Sequence, residues 1–140
     1  MIRHVAGIAE IVEDVEKAAE FYRALGLNVK VDPGHAMVEV PGVMYFGLWG
    51  RAEAAESTFG SRDAADRVPL GFTIGFEVDS VDEDASLIPG ETVNDAKDEP
   101  WGQRTIRFLS PTGALCELAE TSWARELETN VSAKATQPKS

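Results

Sequence analysis

Most of the residues that could do chemistry lie in one stretch, residues 99–121, with the sequence EPWGQRTIRFLSPTGALCELAET. Two short strand patterns flank a Ser-Pro-Thr-Gly turn in this stretch. In the second strand, Glu117 stands among apolar neighbours. Burying a carboxylate without a partner is very unfavourable, so Glu117 either faces water, meets a partner or serves as an acid or base. It is the one candidate catalytic residue that we identify.

The first strand of this stretch has two faces of different character, because successive side chains point to opposite sides. The two sets are Thr105, Arg107 and Leu109 on one side and Arg104, Ile106 and Phe108 on the other. We expect Arg104 either to pair with Glu117 or another acid, or to contact a ligand.

Composition and charge narrow the classes of partner. With 140 residues, 44% of them apolar, the chain predicts one globular domain. The formal net charge of −11 disfavours nucleic acid, because phosphate binding needs clustered Lys and Arg. We expect no membrane contact, since no basic amphipathic stretch or apolar run of about 20 residues is present. The absence of a signal-peptide pattern and the single Cys116 predict a cytoplasmic location.

Hydrophobic periodicity predicts one strand, one helix and three strands in each half of the chain. The first half has a predicted strand at 2–12, a helix at 15–25 behind Asp14, and strands at 27–32, 35–40 and 43–49. A charged, Ala-rich connection at 50–69 has room for a helical turn. The second half has a strand from residue 74, a helix at 81–88 and strands at 91–96, 103–109 and 114–120.

The two halves share a motif. Residues 8–16, IAEIVEDVE, and 74–82, IGFEVDSVD, lie 66 positions apart. A repeat of this size predicts two βαβββ modules, at about 2–50 and 70–120, neither of which covers its own sheet. The predicted fold class is α+β, with a curved mixed sheet around a cleft in a single domain of residues 1–129. A short helix at 122–128 and a flexible tail at 130–140 complete the prediction.

The sequence resembles the vicinal oxygen chelate superfamily, which includes glyoxalases, bleomycin-resistance proteins and extradiol dioxygenases. The resemblance rests on EDVEKAAEFYRALGL at 13–27, GFEVDSVD at 75–82, and PWGQR with SPTGALCEL between 100 and 118. It implies the glyoxalase/bleomycin-resistance fold, a homodimer and, in the enzymes, a divalent metal held by two His and two carboxylates. Because the fold hosts many activities, it does not specify one.

The resemblance also places four metal-ligand positions in this chain, at Gly7, Thr73, Gly47 and Glu117. One carboxylate cannot hold an ion that needs three or four protein ligands. In a regular strand His4 faces away from the first position, although a bulge would turn it inward. His35 begins a middle strand, and we expect surface or capping roles for both. The sequence therefore predicts no metal and no cofactor.

Without a metal, the resemblance points to members that bind a natural-product or drug-like ligand in a cleft shared by two chains. Trp and Phe offer flat faces to planar rings, and Gln and Arg hydrogen-bond to carbonyl or carboxylate groups. The segment WGQR is similar to one in drug-binding members. We predict a planar or cationic small-molecule ligand, bound by Tyr45, Phe46, Trp49, Trp101, Gln103, Arg104 and Glu117. Phe46 and Trp49 fit a core role equally well.

Two other functions stay open. The first is a glyoxalase-superfamily lyase, epimerase or dioxygenase whose metal is held by displaced ligands, namely His4, Glu10, Glu77 and Glu117. In a metal-independent version, Glu117 is a general base, which needs a raised carboxylate pKa. The second is an accessory domain for a protein partner, for which the sequence offers no charge-patterned helix. We favour the binding protein over the enzyme.

Overall fold

A computed structural model describes residues 1–42 and 45–121 of the chain. Its strands are β1 (Ile2–Val12), β2 (Asn28–Asp32), β3 (His35–Glu39), β4 (Phe46–Gly50), β5 (Gly71–Val78), β6 (Lys97–Asp98), β7 (Gln103–Leu109) and β8 (Leu115–Thr121). They form a curved, unclosed sheet in the order β2-β3-β4-β1-β5-β8-β7-β6. The pairs β1–β4 and β5–β8 are parallel, and β1–β5 is antiparallel. The predicted α+β class is confirmed.

The helices are α1 (Val15–Ala24), α2 (Arg51–Phe59) and α3 (Val81–Asp84), with 3-10 turns at Arg62–Arg67 and Ala85–Leu87. Asp14 caps α1 by accepting the N–H of Lys17, and Ser80 caps α3 by accepting that of Glu83, each at 3.1 Å. The two caps lie 66 residues apart, as the motif predicts. None of the described helices is both long and apolar enough to cross a membrane.

The repeat is also visible in the register of the two central strands. Gly7 of β1 faces Gly75 of β5, and Ala9 faces Thr73. The repeat length of 66 makes residue 73 the equivalent of residue 7, and residue 75 the equivalent of residue 9. Exchanging each residue for its equivalent therefore converts the pair Gly7–Gly75 into the pair Thr73–Ala9. The halves are therefore related by a local two-fold axis between β1 and β5.

One face of the sheet is covered by α1 and α3. Ala19 of α1 and Val81 of α3 are both fully buried in this packing. Their partners on the strands are Val29, Ala36, Val38 and Leu48 under α1, and Val78, Ile106 and Leu118 under α3. Because this apolar burial is what stabilises the sheet, side chains on the same face are committed to packing.

The connection at 50–69 contains more helix than the predicted single turn. Its Ala-rich composition favours α2, and Gly60 ends that helix in the left-handed conformation at φ 79°. Ala54 and Ala55 of α2 pack against Ile11 and Leu115 on the face opposite α1 and α3. One end of that face is therefore filled by α2.

The face under α2 is the concave one. Trp49 of β4 lies 6.3 Å from Trp101 between ring centroids, and its ring lies 5.2 Å from the guanidinium carbon of Arg107 on β7. Strands β4 and β7 are four positions apart, about 19 Å on a flat sheet. Such contacts require the sheet to curve toward this side, which we call the concave face.

Two predicted strands differ from the structure. The strand predicted at 91–96 is wrong, since Thr92 forms an isolated bridge with Phe108 and the edge strand is β6. Asn94 Oδ1 accepts the N–H of Arg107 at 2.9 Å, so a side chain replaces a strand hydrogen bond. The strand predicted at 43–49 is β4, which begins at Phe46. Residues 43 and 44, the predicted helix at 122–128 and the predicted tail lie outside the described residues.

Candidate functional site

Glu117 has a counterpart in the first half of the chain. Gly75 is its parallel partner on β5, and Gly47 is the parallel partner of Ala9 on β1. Because Ala9 and Gly75 are equivalent under the repeat, Gly47 is the equivalent of Glu117. The concave face therefore carries a carboxylate in one half and a bare backbone at the matching point of the other.

Arg107 is the partner of Glu117 on this face. The two residues are directly paired between β7 and β8, and Arg107 Nε lies 3.5 Å from a carboxylate oxygen of Glu117. The Arg107 side chain is 1% exposed. Arg107 Nη1 also donates to Ser57 Oγ at 2.8 Å and to Thr58 Oγ1 at 3.2 Å. The guanidinium thus joins α2 to the sheet.

Glu99 completes this polar cluster. Its carboxylate has no solvent exposure and lies 3.0 Å from Arg107 Nη2. It accepts hydrogen bonds from Thr105 Oγ1 at 2.9 Å and from Ser57 Oγ at 3.1 Å. These donors hold the Glu99 carboxylate in place. Arg107 therefore has one buried partner, Glu99, and one more accessible partner, Glu117.

Glu117 is the carboxylate of the cluster that reaches the open part of the face. Its side chain is 22% exposed. Loss of hydration raises the pKa of Glu117, Arg107 lowers it, and the nearby charges of Glu99 and Glu77 raise it again, for a net upward shift. A raised carboxylate pKa is typical of sites that exchange protons or bind cations.

The substitution Glu117→Gln should stabilise the protein more as the pH rises. The pKa of Glu117 is higher in the folded state than in the unfolded chain, so the folded state binds the Glu117 proton more tightly. The stability that this proton contributes is present below the ordinary glutamate pKa and is lost as the pH rises through the raised pKa of the folded state. We expect little change near pH 4 and a gain of about 3 °C in melting temperature at pH 8. Thermal unfolding measures this, with exposed Glu91→Gln as control. A gain that does not grow with pH would contradict it.

Tyr45 covers the bare backbone in the first half. A Cβ atom placed on Gly7 would lie 3.0 Å from Tyr45 Cδ1, and one on Gly47 would lie 2.8 Å from Tyr45 Cε1 and Oη. Both positions need glycine because the ring lies against them. The Tyr45 hydroxyl is hydrogen-bonded to Nε2 of His35, and the two rings are stacked at 6.2 Å.

Burial sets the protonation of this pair. It raises the pKa of the Tyr45 hydroxyl and lowers the pKa of His35, the latter partly offset by the charge of Asp32. At neutral pH we therefore expect a protonated phenol beside a neutral imidazole. No sequence pattern predicted that His35 lies on the concave face, where its register partner Trp49 also lies.

The four positions where the resemblance places metal ligands do not fit a metal ion. Gly7 and Gly47 provide no donor, and the Tyr45 ring occupies the space in which side chains there would lie. Thr73 is a poor ligand, which leaves Glu117 alone. Within residues 1–42 and 45–121, no three His, Cys, Asp or Glu side chains are close enough to hold an ion.

The displaced ligands of the enzyme hypothesis fall on different faces. Glu10 lies on the face covered by α1, where its carboxylate accepts the Tyr22 hydroxyl at 2.5 Å. His4 lies opposite Glu77, and register shifts on either side of His4 and Val5 bring it onto the concave face. The bulge that would turn His4 inward is therefore present, and Glu10 is excluded from the set.

Three of the predicted ligand-binding residues meet at one end of the concave face. Trp101 is 45% exposed, and its Nε1 donates to Gln103 Oε1 at 2.6 Å. Gln103 Nε2 donates in turn to Thr121 Oγ1 at 2.7 Å. Trp49 packs edge-on against Trp101 and beside Arg107. Trp101 offers a flat apolar face close to the Arg107–Glu117 pair.

Two predicted ligand-binding residues lie elsewhere, which corrects their placement. Phe46 is on the helix-covered face, 5.4 Å from Tyr22 between ring centroids, because its strand must pack against α1. Arg104 lies on the same side of the sheet, where it pairs with Asp82 at 2.9 Å and Asp98 at 3.2 Å. The arginine of the concave face is Arg107, which is three residues from Arg104 along β7 and therefore on the opposite side of the sheet.

Three residues of this cluster, Arg107, Glu99 and Ser57, were not predicted as site residues. The alternation of side chains along β7 places Arg107 and Arg104 on opposite faces of the sheet. It was the one sequence signal that could have identified Arg107. Nothing in the sequence distinguishes Glu99 or Ser57 from other polar residues, because they belong to the site only through the packing of α2.

An open groove of about 480 Å³ lies outside the concave face, where the start of α1 meets the Pro33–Gly34 turn and Glu53. Its lining is strongly acidic. Glu13 and Glu53 in this groove already pair with Arg51 and Arg62, at 2.7 and 3.1 Å. Solvated ion pairs of this kind carry little functional meaning, so we place the candidate site on the concave face.

Comparison with known sequences gave one family. A family profile described as "Glyoxalase-like domain" matches residues 5–122. A search of curated protein sequences found no significant match.

Several solved structures are similar in fold. Methylmalonyl-CoA epimerase from Streptomyces coelicolor, in complex with 2-nitronate-propionyl-CoA, is 23% identical over 87% of this chain and 99% of its own, with a TM-score of 0.57. The Mycobacterium tuberculosis methylmalonyl-CoA epimerase is 21% identical over 86% and 89%, with a TM-score of 0.56. A Legionella pneumophila structure described as an NAD-dependent benzaldehyde dehydrogenase is 19% identical over 83% and 98%, with a TM-score of 0.60. At these identities the similarity supports the fold alone.

Proposed function

The chain belongs to the glyoxalase-like domain family, and from that premise we propose that it binds a small cationic, planar molecule on the concave face without a metal. The observation that carries this proposal is the state of Glu117. Its side chain is partly exposed and the pKa of its carboxyl group is raised. Two other carboxylates raise this pKa and one guanidinium lowers it. A cation that arrives beside Glu117 compensates its charge.

Trp101 supplies the planar part of this recognition. The exposed indole can stack on a ligand ring, and a cation held close to a Trp face gains about 0.5–2 kcal/mol. The net charge of −11 also favours the approach of cations over anions. We therefore retain a natural-product or drug-like molecule as the proposed ligand class. Trp49, Gln103 and Arg107 support the binding residues Trp101 and Glu117.

The proposal is tested by titrating the protein with benzylamine and with metal-free bleomycin while Trp fluorescence is followed. Wild-type protein should give a saturable change, and Glu117→Gln should weaken binding about tenfold, since a charged hydrogen bond contributes about 1.5–3 kcal/mol. Binding should also weaken as the pH falls through the raised pKa of Glu117. Arg104→Met, on the opposite face, should bind as the wild type does. Equal binding by wild type and Glu117→Gln would refute the proposal.

A second candidate is a metal-independent enzyme in which Glu117 removes a proton from carbon next to a carbonyl group. The raised pKa of Glu117 favours it, because general bases work best with a pKa near the operating pH. Deuterium exchange into a panel of 2-oxo acids, followed by proton NMR in D2O, separates the two functions. Exchange that Glu117→Gln abolishes supports the enzyme, and binding without exchange supports the binding protein.

The homodimer implied by the resemblance remains part of the proposal. Sedimentation equilibrium at several concentrations would measure it, with a mass of twice 15.2 kDa expected.

A further inference from the structure

The Tyr45 hydroxyl occupies a position equivalent to the side chain of Glu117. Gly47 is the repeat counterpart of Glu117, and a Cβ on Gly47 would lie 2.8 Å from Tyr45 Oη. The first half of the chain therefore presents a hydroxyl where the second half presents a carboxylate. This hydroxyl reaches the position from residue 45, two residues earlier in the chain, and is hydrogen-bonded there to His35.

Small residues form the floor between the hydroxyl and the carboxylate at the centre of the sheet, where Ala9 of β1 faces Thr73 of β5. Gly7 and Gly75 face each other there on β1 and β5. A Cβ on Gly75 would find its three nearest atoms at 3.9–4.0 Å, an ordinary contact distance, so the floor beside Glu117 is not crowded. Gly47 and Glu117 are three strand spacings apart, about 14 Å across the sheet.

The two ends of this floor differ in chemistry. Tyr45 is a neutral phenol that is hydrogen-bonded to His35. In the His35 tautomer that carries its proton on Nε2, the Tyr45 oxygen accepts from the imidazole and its O–H is left to donate to an oxygen. Glu117 is an acceptor that attracts donors and cations. A ligand lying on the floor can therefore be oriented by having an acceptor at one end and a cation at the other.

We propose that the Tyr45 hydroxyl is the hydrogen-bond donor for a carbonyl oxygen of the ligand, so that the ligand is an organic cation that also carries an amide or ketone group. The position of the carbonyl rests on Tyr45, His35 and the floor of small residues. The cationic part rests on the function proposed above.

Three probes separate these parts. Benzylamine carries the ring and the cation, 4-(aminomethyl)benzamide adds a carbonyl at the far end, and acetamide carries the carbonyl alone. The affinities of the two amines are measured by Trp fluorescence. Binding of acetamide is followed through the backbone amide NMR signals of Gly7, Gly47 and Gly75.

Wild-type protein should bind the benzamide about 3- to 10-fold more tightly than benzylamine, the range expected for one added hydrogen bond. Tyr45→Phe keeps the ring over the glycines and removes only the hydroxyl. It should abolish this preference and leave benzylamine affinity unchanged. Tyr22→Phe is the matched control, because that hydroxyl lies on the helix-covered face. Acetamide should shift the Gly7 and Gly47 signals in wild type but not in Tyr45→Phe.

A benzamide preference that survives in Tyr45→Phe would overturn the inference, as would the absence of acetamide shifts at Gly7 and Gly47 in wild type. If neither amine binds while the Tyr45-dependent acetamide shifts are present, the carbonyl site stands and the proposed cation-binding function fails. Failure of the two proposals is thereby distinguished.

Discussion

Arg107→Met is expected to lower the free energy of unfolding by about 3–5 kcal/mol, the largest effect that we predict for a single substitution. Methionine matches the length of the arginine chain but leaves Glu99 inside the protein without its guanidinium. That carboxylate has no exposure, and Arg107 is its nearer ion-pair partner at 3.0 Å, compared with 3.9 Å for Lys97. The same substitution removes the donor to Ser57 and Thr58, which loosens α2. Urea denaturation followed by circular dichroism measures the change.

Arg104→Met is the matched control, because it changes the same residue type on the same strand. Its ion pairs with Asp82 and Asp98 lie at the surface, where such pairs contribute about 0–1 kcal/mol. The deficit of Arg107→Met should also shrink as the pH falls, since Arg107 lowers the pKa of Glu117 and its removal favours protonation there. Similar losses for the two variants would show that Arg107 is not the centre of the cluster.

Gly47→Ala is expected to lower the free energy of unfolding by about 1–3 kcal/mol, an unusual result for adding one methyl group. The backbone of Gly47 has no positive φ, so the cause is steric. The new Cβ would lie 2.8 Å from Tyr45 Cε1 and Oη, which must move and break the bond to His35. Urea denaturation should show the loss of stability. The variant should also lose the preference for 4-(aminomethyl)benzamide over benzylamine in the binding measurement.

Two comparisons identify the Tyr45 ring as the cause. Gly75→Ala introduces a Cβ at ordinary contact distances and should be neutral or stabilising by about 0.4–1 kcal/mol. In the Tyr45→Ala background, Gly47→Ala should cost almost nothing, because the clashing ring is gone. Additive losses in the double variant would mean that Gly47 is required for another reason.

Local signals in the sequence were sufficient to predict the internal repeat and the equivalence of its two halves. The 66-residue offset follows from two strand-and-cap motifs, and Asp14 and Ser80 form the same cap in the structure. Helix caps and strand alternation involve neighbours a few residues apart, so a single sequence contains them. The family resemblance placed Gly47 and Glu117 at matching positions of the two halves, and the strand register agrees with it.

Only the tertiary structure decided which residues share the concave face with Glu117. The alternation along β7 separates Arg104 from Arg107, but which set faces the helices depends on the packing of α3, far away in the chain. The bulge that turns His4 inward depends on the register of β1 against β5, and the ring of Tyr45 could not be assigned a direction before β4 was placed beside β1. These choices depend on contacts between residues distant in sequence, and no periodicity within one strand records them.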